Sequence, residues 1–263
     1  MAVDVWDDSA AYESYVGRWS RLIAAPFIAW LGLPGGGAWL DVGCGTGALT
    51  REILARASPR LVIGCDRSSA YIAFASAQTA DGRSHFVPAE LSSLPQTEDG
   101  FDAVVAGLLL NFLPSPFDGL AAMAARARRA GVVAAYVWDY AAGMQMMRVF
   151  WDAASALDPA ARELDEGVRF PLCQPQPLQQ IFERSGIRDV QVQPIETVTV
   201  FRDFDDYWTP FLGGQGPAPG YLMSLSVEHR ERLRDVVRSR IPVAPDGTIS
   251  LTARAWAAKG IAV

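Results

Sequence analysis

Residues 39–50 read "WLDVGCGTGALT". An apolar run ends in three glycines at alternate positions, Gly43, Gly45 and Gly47, and a helix-forming stretch, "GALTREILARA", follows. Strand, glycine turn and helix in that order open an α/β unit in which backbone N–H groups and a helix N-terminus approach a ligand. Dinucleotides, phosphates and nucleosides all use such turns. The P-loop is excluded, because no G-K-[ST] follows. The dinucleotide pattern G-x-G-x-x-G/A can be laid on Gly43, Gly45 and Ala48, so the neighbouring charges must decide.

Asp41 lies inside the strand end, two residues before Gly43. A pyrophosphate beside it would be repelled, whereas an ammonium or sulfonium group would be attracted. Asp66 closes the next apolar stretch, "RLVIGCD". A carboxylate there can accept both hydroxyls of a ribose, each a charge-assisted bond of about 1.5–3 kcal/mol. Glu90 follows the third strand, in "PAELSSLP", where an acid can accept from an adenine amino group. The three acids favour a cationic nucleoside over a dinucleotide.

The remaining pattern continues the α/β rhythm. Helical spacing of Tyr15, Trp19, Leu22, Ile23, Phe27, Trp30 and Leu31 predicts a helix over 12–32, broken by "GLPGGGA". "SHFVPAE", "FDAVVAGLLL" and "GVVAAYVWD" read as strands, and "SAYIAFASAQTA" and "PFDGLAAMAARARR" as helices. Apolar strands alternating with amphipathic helices mean a parallel sheet covered on both faces. After Tyr140 the rhythm changes. Helices are expected at 143–157 and Pro177–Ser185, a long strand in "DVQVQPIETVTVF", and a charged helix at 227–240. "PDGTISLTARAWAAKG" reads as a final strand entered through an Asp246-Gly247 turn. The Gly, Pro and aromatic residues from 203 onward mark an insertion, 203–240, expected to act as a lid.

The composition narrows the function. The chain has 263 residues, half of them hydrophobic, and a net charge of −6, which fits a single α/β domain with a large core and argues against nucleic acid as partner. The basic cluster Arg126, Arg128 and Arg129 reads as the solvated end of a helix. Three scattered cysteines without a CxxC, and two isolated histidines, His85 and His229, support neither a disulfide framework nor a metal site. Cys44 and Cys65 read as core. The acidic N-terminus has no apolar signal-peptide region and no run is long enough to span a membrane, so the expected location is cytoplasmic.

Four motifs, "LDVGCGTGALT", "IGCDRS", "VPAELSSLP" and "FDAVVAGLLLNFLP", together resemble the successive motifs of class I S-adenosylmethionine-dependent methyltransferases. The chain is most similar to their small-molecule group, which includes quinone-biosynthesis C-methyltransferases. The resemblance is strong over 38–140; "YESYVGRWSR" resembles the N-terminal helix of many members. It implies a Rossmann-like, seven-stranded, mostly parallel sheet with an antiparallel last strand, and S-adenosyl-L-methionine as cofactor. Gly43, Gly45 and Gly47 would line its methionine part, with Asp41 near the amino group. Asp66 would hold the ribose, Arg67 would flank the adenine, and Glu90 and Leu91 would meet the adenine edge; relatives usually carry Asp where this chain has Glu90. Leu109, Leu110 and Asn111 would floor the methyl site. Tyr15 and Arg18 could close over the cofactor.

Such an enzyme displaces the sulfonium methyl in line, so positioning can supply about 7–11 kcal/mol of the barrier. A base helps when the nucleophile is a phenol, enol or alcohol. Asp139, between Trp138 and Tyr140 at the end of the fifth strand, is the candidate. Tyr207, Trp208, Phe211 and Tyr221, with Tyr12, Tyr15 and Met144, could enclose a small aromatic or apolar acceptor. A macromolecular methyltransferase, a nicotinamide oxidoreductase and a non-catalytic cofactor-binding protein stay open as alternatives.

Overall fold

The computed structural model describes Tyr15, residues 17–214 and residues 216–263. These residues fall into two compact units, each assembled from separate stretches of chain.

The larger unit comprises residues 20–137, 172–195 and 255–263. It carries most of the sheet, whose strands are β1 (Ala38–Val42), β2 (Leu61–Asp66), β3 (Ser84–Pro88), β4 (Phe101–Gly107), β5 (Ala127–Trp138), β6 (Arg188–Phe201) and β7 (Ile249–Ile261), in the order β3-β2-β1-β4-β5-β7-β6; residues 138, 196–201 and 249–254 of these strands belong to the smaller unit. The first five pair in parallel. β7 runs the other way: Ala130 and Gly131 of β5 bond to Ala262, while Asp139 bonds to Arg254, so numbers rise on one strand as they fall on the other. The sheet is therefore the Rossmann-like, seven-stranded one expected, with the last strand antiparallel. Its central strands are mostly apolar because both faces are covered; β1 is buried at all five positions, Asp41 included.

Local chemistry sets the element ends. Ser68 caps the helix Ser69–Gln78, accepting from the Tyr71 N–H, and Ser115 caps Pro116–Ala124 with proline at its first position. Two boundaries differ from expectation. The helix after β4 ends at Ala124; Arg126 lies in the turn that follows, and Arg128 and Arg129 enter β5. Arg128 pairs with Asp102 at 2.7 Å and Arg126 donates to the Leu94 carbonyl, so strand pairing overrides helix propensity there. β4 stops at Gly107 because Leu108 takes a left-handed backbone, φ 59°, after which Leu110–Phe112 forms a 3-10 turn.

The smaller unit comprises described residues up to Trp19, 138–171 and 196–254. It holds the helices Gln145–Leu157, Glu166–Arg169, Phe204–Trp208, Pro217–Ser224 and Val227–Arg240. Its core is aromatic. Phe150 and Phe211 stack at 4.7 Å, and Tyr15, Tyr207 and Trp208 pack around Phe211. His229 lies exposed in the last helix beside its cap, Ser226.

Candidate cofactor and acceptor sites

The parallel register aligns the C-terminal ends of β1 to β4. Asp41 pairs across from Gly64 and Val105, and Asp66 from Pro88. The strand order reverses between β1 and β4, the crevice where ligands of open α/β sheets bind. Gly43 and Leu109 face each other there. Gly43 has φ 68°, and a Cβ on it would lie 2.8 Å from a Leu109 methyl, so any other residue would be strained there and displace Leu109. Gly45 has φ 52°, and a Cβ on it would point into open space. Gly47 also has a left-handed backbone and leads into the helix Ala48–Arg56.

The acids complete this crevice. Asp41 is fully buried; one oxygen accepts from Thr50 Oγ1 at 2.6 Å, and the other has no partner among the described residues. Burial pushes its carboxyl up to about 7. An uncompensated acceptor so placed fits a cationic amino group. Asp66 is half-buried, and its two oxygens accept from the Gly45 and Ser68 N–H groups at 3.1 and 2.8 Å. Those bonds orient the carboxylate and leave lone pairs for ribose hydroxyls. Arg67 is exposed beside it. Glu90, exposed, opens the 3-10 turn Leu91–Ser93, and Leu91 is half-buried. Asn111 is buried with neither side-chain polar atom partnered among the described residues. The residues present thus fit the cofactor that the motifs imply, from amino group to ribose.

The other expected site residues lie in the smaller unit, except Tyr12, which is outside the described residues. Trp138, Tyr140, Met144, Tyr207, Trp208, Phe211 and Tyr221 are all buried. Tyr207 Oη donates to the Met146 carbonyl at 2.8 Å, and Tyr221 packs against Trp151. Arg18 pairs with Asp206 at 3.0 Å and lies over the rings of Trp19 and Phe201. Asp139 is 2% exposed. Its Oδ2 accepts from Arg254 Nε and Nη2 at 2.7 and 2.6 Å, and Oδ1 accepts from the Ala142 N–H. That grip suits a fixed anion better than a proton acceptor.

Sequence reasoning passed over Thr50, Arg254 and Glu166. Glu166 is 1% exposed; one carboxylate oxygen accepts from Trp151 Nε1 and the other has no partner among the described residues. Nothing in "LDEGVRF" distinguishes it from a solvated acid. Among the described residues no cluster of His, Cys, Asp or Glu could hold a metal, and no helix is long and apolar enough to cross a membrane.

Residues 40–131 match the family model of a methyltransferase domain. No curated protein sequence matches the chain significantly. Solved structures with the same fold include the YcgJ protein of Bacillus subtilis, 16% identical with a TM-score of 0.58 over 91% of this chain and 97% of that one. Another is phosphoethanolamine N-methyltransferase 2 of Haemonchus contortus, solved with phosphomonomethylethanolamine and S-adenosylhomocysteine. It is 15% identical, with a TM-score of 0.57 over 95% of this chain and 56% of that one. The [4+2]-cyclase SpnF, 16% identical, has a TM-score of 0.51 over 98% and 86%. At these identities the likeness is one of fold, and the same fold hosts different reactions. With the domain match and the crevice just described, the chain is an S-adenosylmethionine-dependent methyltransferase of class I. S-Adenosylmethionine is its cofactor.

Proposed function

We propose that the chain methylates a small aromatic or otherwise apolar acceptor. The observation that carries this reading is the aromatic build of the smaller unit, where Trp138, Tyr140, Phe150, Trp151, Tyr207 and Phe211 are buried together with Met144. Rings so arranged match a flat apolar acceptor and exclude water from it. The acidic chain, at −6, suits a basic nucleic-acid-binding role poorly.

When bound, S-adenosylmethionine supplies a methyl group on sulfur that is already activated for in-line displacement. The protein's own work is then placement. Asp41 holds the amino group, the Gly43–Gly47 turn supplies close backbone, Asp66 takes the ribose hydroxyls, and Glu90 with Leu91 borders the adenine. Leu109 and Asn111 line the methyl side. Asp139 acts as a positioning residue: through Arg254 and the Ala142, Gly143 and Met144 N–H groups it fixes the turn that carries Tyr140 and Met144.

The test is S-adenosylhomocysteine release against a panel of phenols, quinones, aliphatic amines and carboxylic acids. Turnover with phenolic or quinone members and none with aliphatic amines is expected. Turnover confined to a protein or nucleic-acid acceptor would overturn the proposal, and activity on hydroquinones would place the chain nearest the quinone-methylating group.

A further inference from the structure

Several buried polar atoms of the smaller unit have no partner among the described residues, and two of them, on Glu166 and Tyr15, are oxygens set among its aromatic rings. Glu166 keeps one carboxylate oxygen on the Trp151 N–H, while Oε1 has no partner among the described residues. Tyr15 is wholly buried, packed edge-on against Phe211, and its hydroxyl likewise has none. The two are neighbours electrostatically: after burial, the Glu166 charge is the largest influence raising the Tyr15 hydroxyl. A buried acceptor left unmatched costs more than the bond it forgoes, so such groups mark a place where something else binds.

We propose that Glu166 and Tyr15 form a polar anchor for a hydroxyl on an aromatic acceptor, with Glu166 Oε1 accepting the acceptor's O–H and the Tyr15 hydroxyl completing the contact. The inference rests on the small-acceptor reading above and specifies its chemistry. The surroundings restrict the choice to a neutral hydrogen-bond donor. The adjacent Asp165 is tied to Arg148 at 2.6 Å and raises the Glu166 carboxyl, Arg169 lies over the Phe170 ring and its charge lowers it, and the other hydroxyl groups that influence Tyr15 belong to Tyr140 and Tyr207. Burial also lifts the Glu166 carboxyl to about 7, so it can hold or accept a proton at neutral pH.

The probes are 2-naphthol, which offers an O–H, and 2-methoxynaphthalene, which has the same ring and only an acceptor oxygen. Each is titrated by calorimetry into the protein saturated with S-adenosylhomocysteine. Wild type should bind 2-naphthol at least tenfold more tightly than the ether. In Glu166→Gln the amide oxygen can keep the Trp151 N–H and turn an NH2 donor toward the free side. The naphthol should lose at least tenfold, and the ether should equal or overtake it. Tyr15→Phe, which keeps the ring packing, should weaken the naphthol a few-fold. Equal binding of naphthol and ether, no naphthol binding, or an unchanged preference in Glu166→Gln would overturn the anchor. S-Adenosylmethionine affinity, measured on wild type and Glu166→Gln, should stay within threefold. Its absence in wild type would instead strike the cofactor assignment.

Discussion

Asp66 and Asp139 each stand at the C-terminal end of an apolar parallel strand, one in each compact unit, and their surroundings differ. Asp66 is half-buried and takes two backbone N–H groups from its own turn and from the glycine loop. Those donors fix the carboxylate without neutralising it. Asp139 is buried and gripped at one oxygen by an arginine 115 residues further along the chain. The first is an oriented charge with no ion-pair partner among the described residues; the second is a closed ion pair. An acid at a strand end therefore becomes a binding group or a strut according to whether a distant cation folds against it.

The sharpest break of that contrast is Asp66→Ala. Losing two charge-assisted bonds of about 1.5–3 kcal/mol each should weaken S-adenosylmethionine at least a hundredfold by calorimetry. A change within threefold would mean that the half-buried acid is structural after all. Next in size is Phe211→Ala in the aromatic unit. Phe211 is fully buried and stacked on Phe150, so its loss should cost about 3–5 kcal/mol of stability. At 2–4 °C per kcal/mol that is a fall in melting temperature of roughly 6–20 °C. A far smaller fall, with acceptor turnover lost, would show these rings serving as a loose cover and not as core.

Asp139→Asn should have a smaller effect. Breaking a buried ion pair costs about 3–5 kcal/mol when the partner is stranded. Arg254 is 28% exposed and also reaches Glu196 at 3.2 Å, so about 1–2 kcal/mol is expected. Turnover should fall only in proportion to misplacement of the 139–144 turn, with the pH profile unchanged. Loss of the acid-side limb of that profile, with cofactor affinity intact, would restore Asp139 as the general base.

This asymmetry also explains what the sequence could and could not reveal. Asp41, Gly43, Gly45 and Asp66 are legible because their roles depend on local order: an apolar strand, a turn, a helix. Parallel pairing then brings their strand ends together without further information. Glu166 and Arg254 are illegible because their meaning is non-local. Glu166 becomes an unmatched buried acid only once Trp151 and Tyr15 fold around it, and Arg254 looks like an ordinary charge in an alternating strand. The arginines after the helix Pro116–Ala124 misled for the same reason: Arg128 pairs with Asp102 and Arg126 donates to the Leu94 carbonyl, both distant in sequence.

Asp41 offers the most direct reading of the cofactor crevice. Its carboxyl loses its proton near 3.8 when unfolded and near 7 in the fold, where burial dominates. Between those values the native state holds the extra proton, so stability falls as pH rises, by about 1.4 kcal/mol per pH unit from this group. Below about 4 and above about 7 it adds no slope. Glu166, raised from 4.5 to about 7, contributes in the same direction. Denaturant titrations of the cofactor-free protein at pH 4.5, 5.5 and 6.5 should therefore show a decline that Asp41→Asn makes shallower. A cationic amino group against the free oxygen of Asp41 would favour the charged carboxylate. S-Adenosylmethionine should then bind more tightly to wild type as pH rises from 5 to 7, and Asp41→Asn should flatten that trend. Equal trends in both proteins would separate Asp41 from the amino group and leave its burial to serve the Thr50 contact alone.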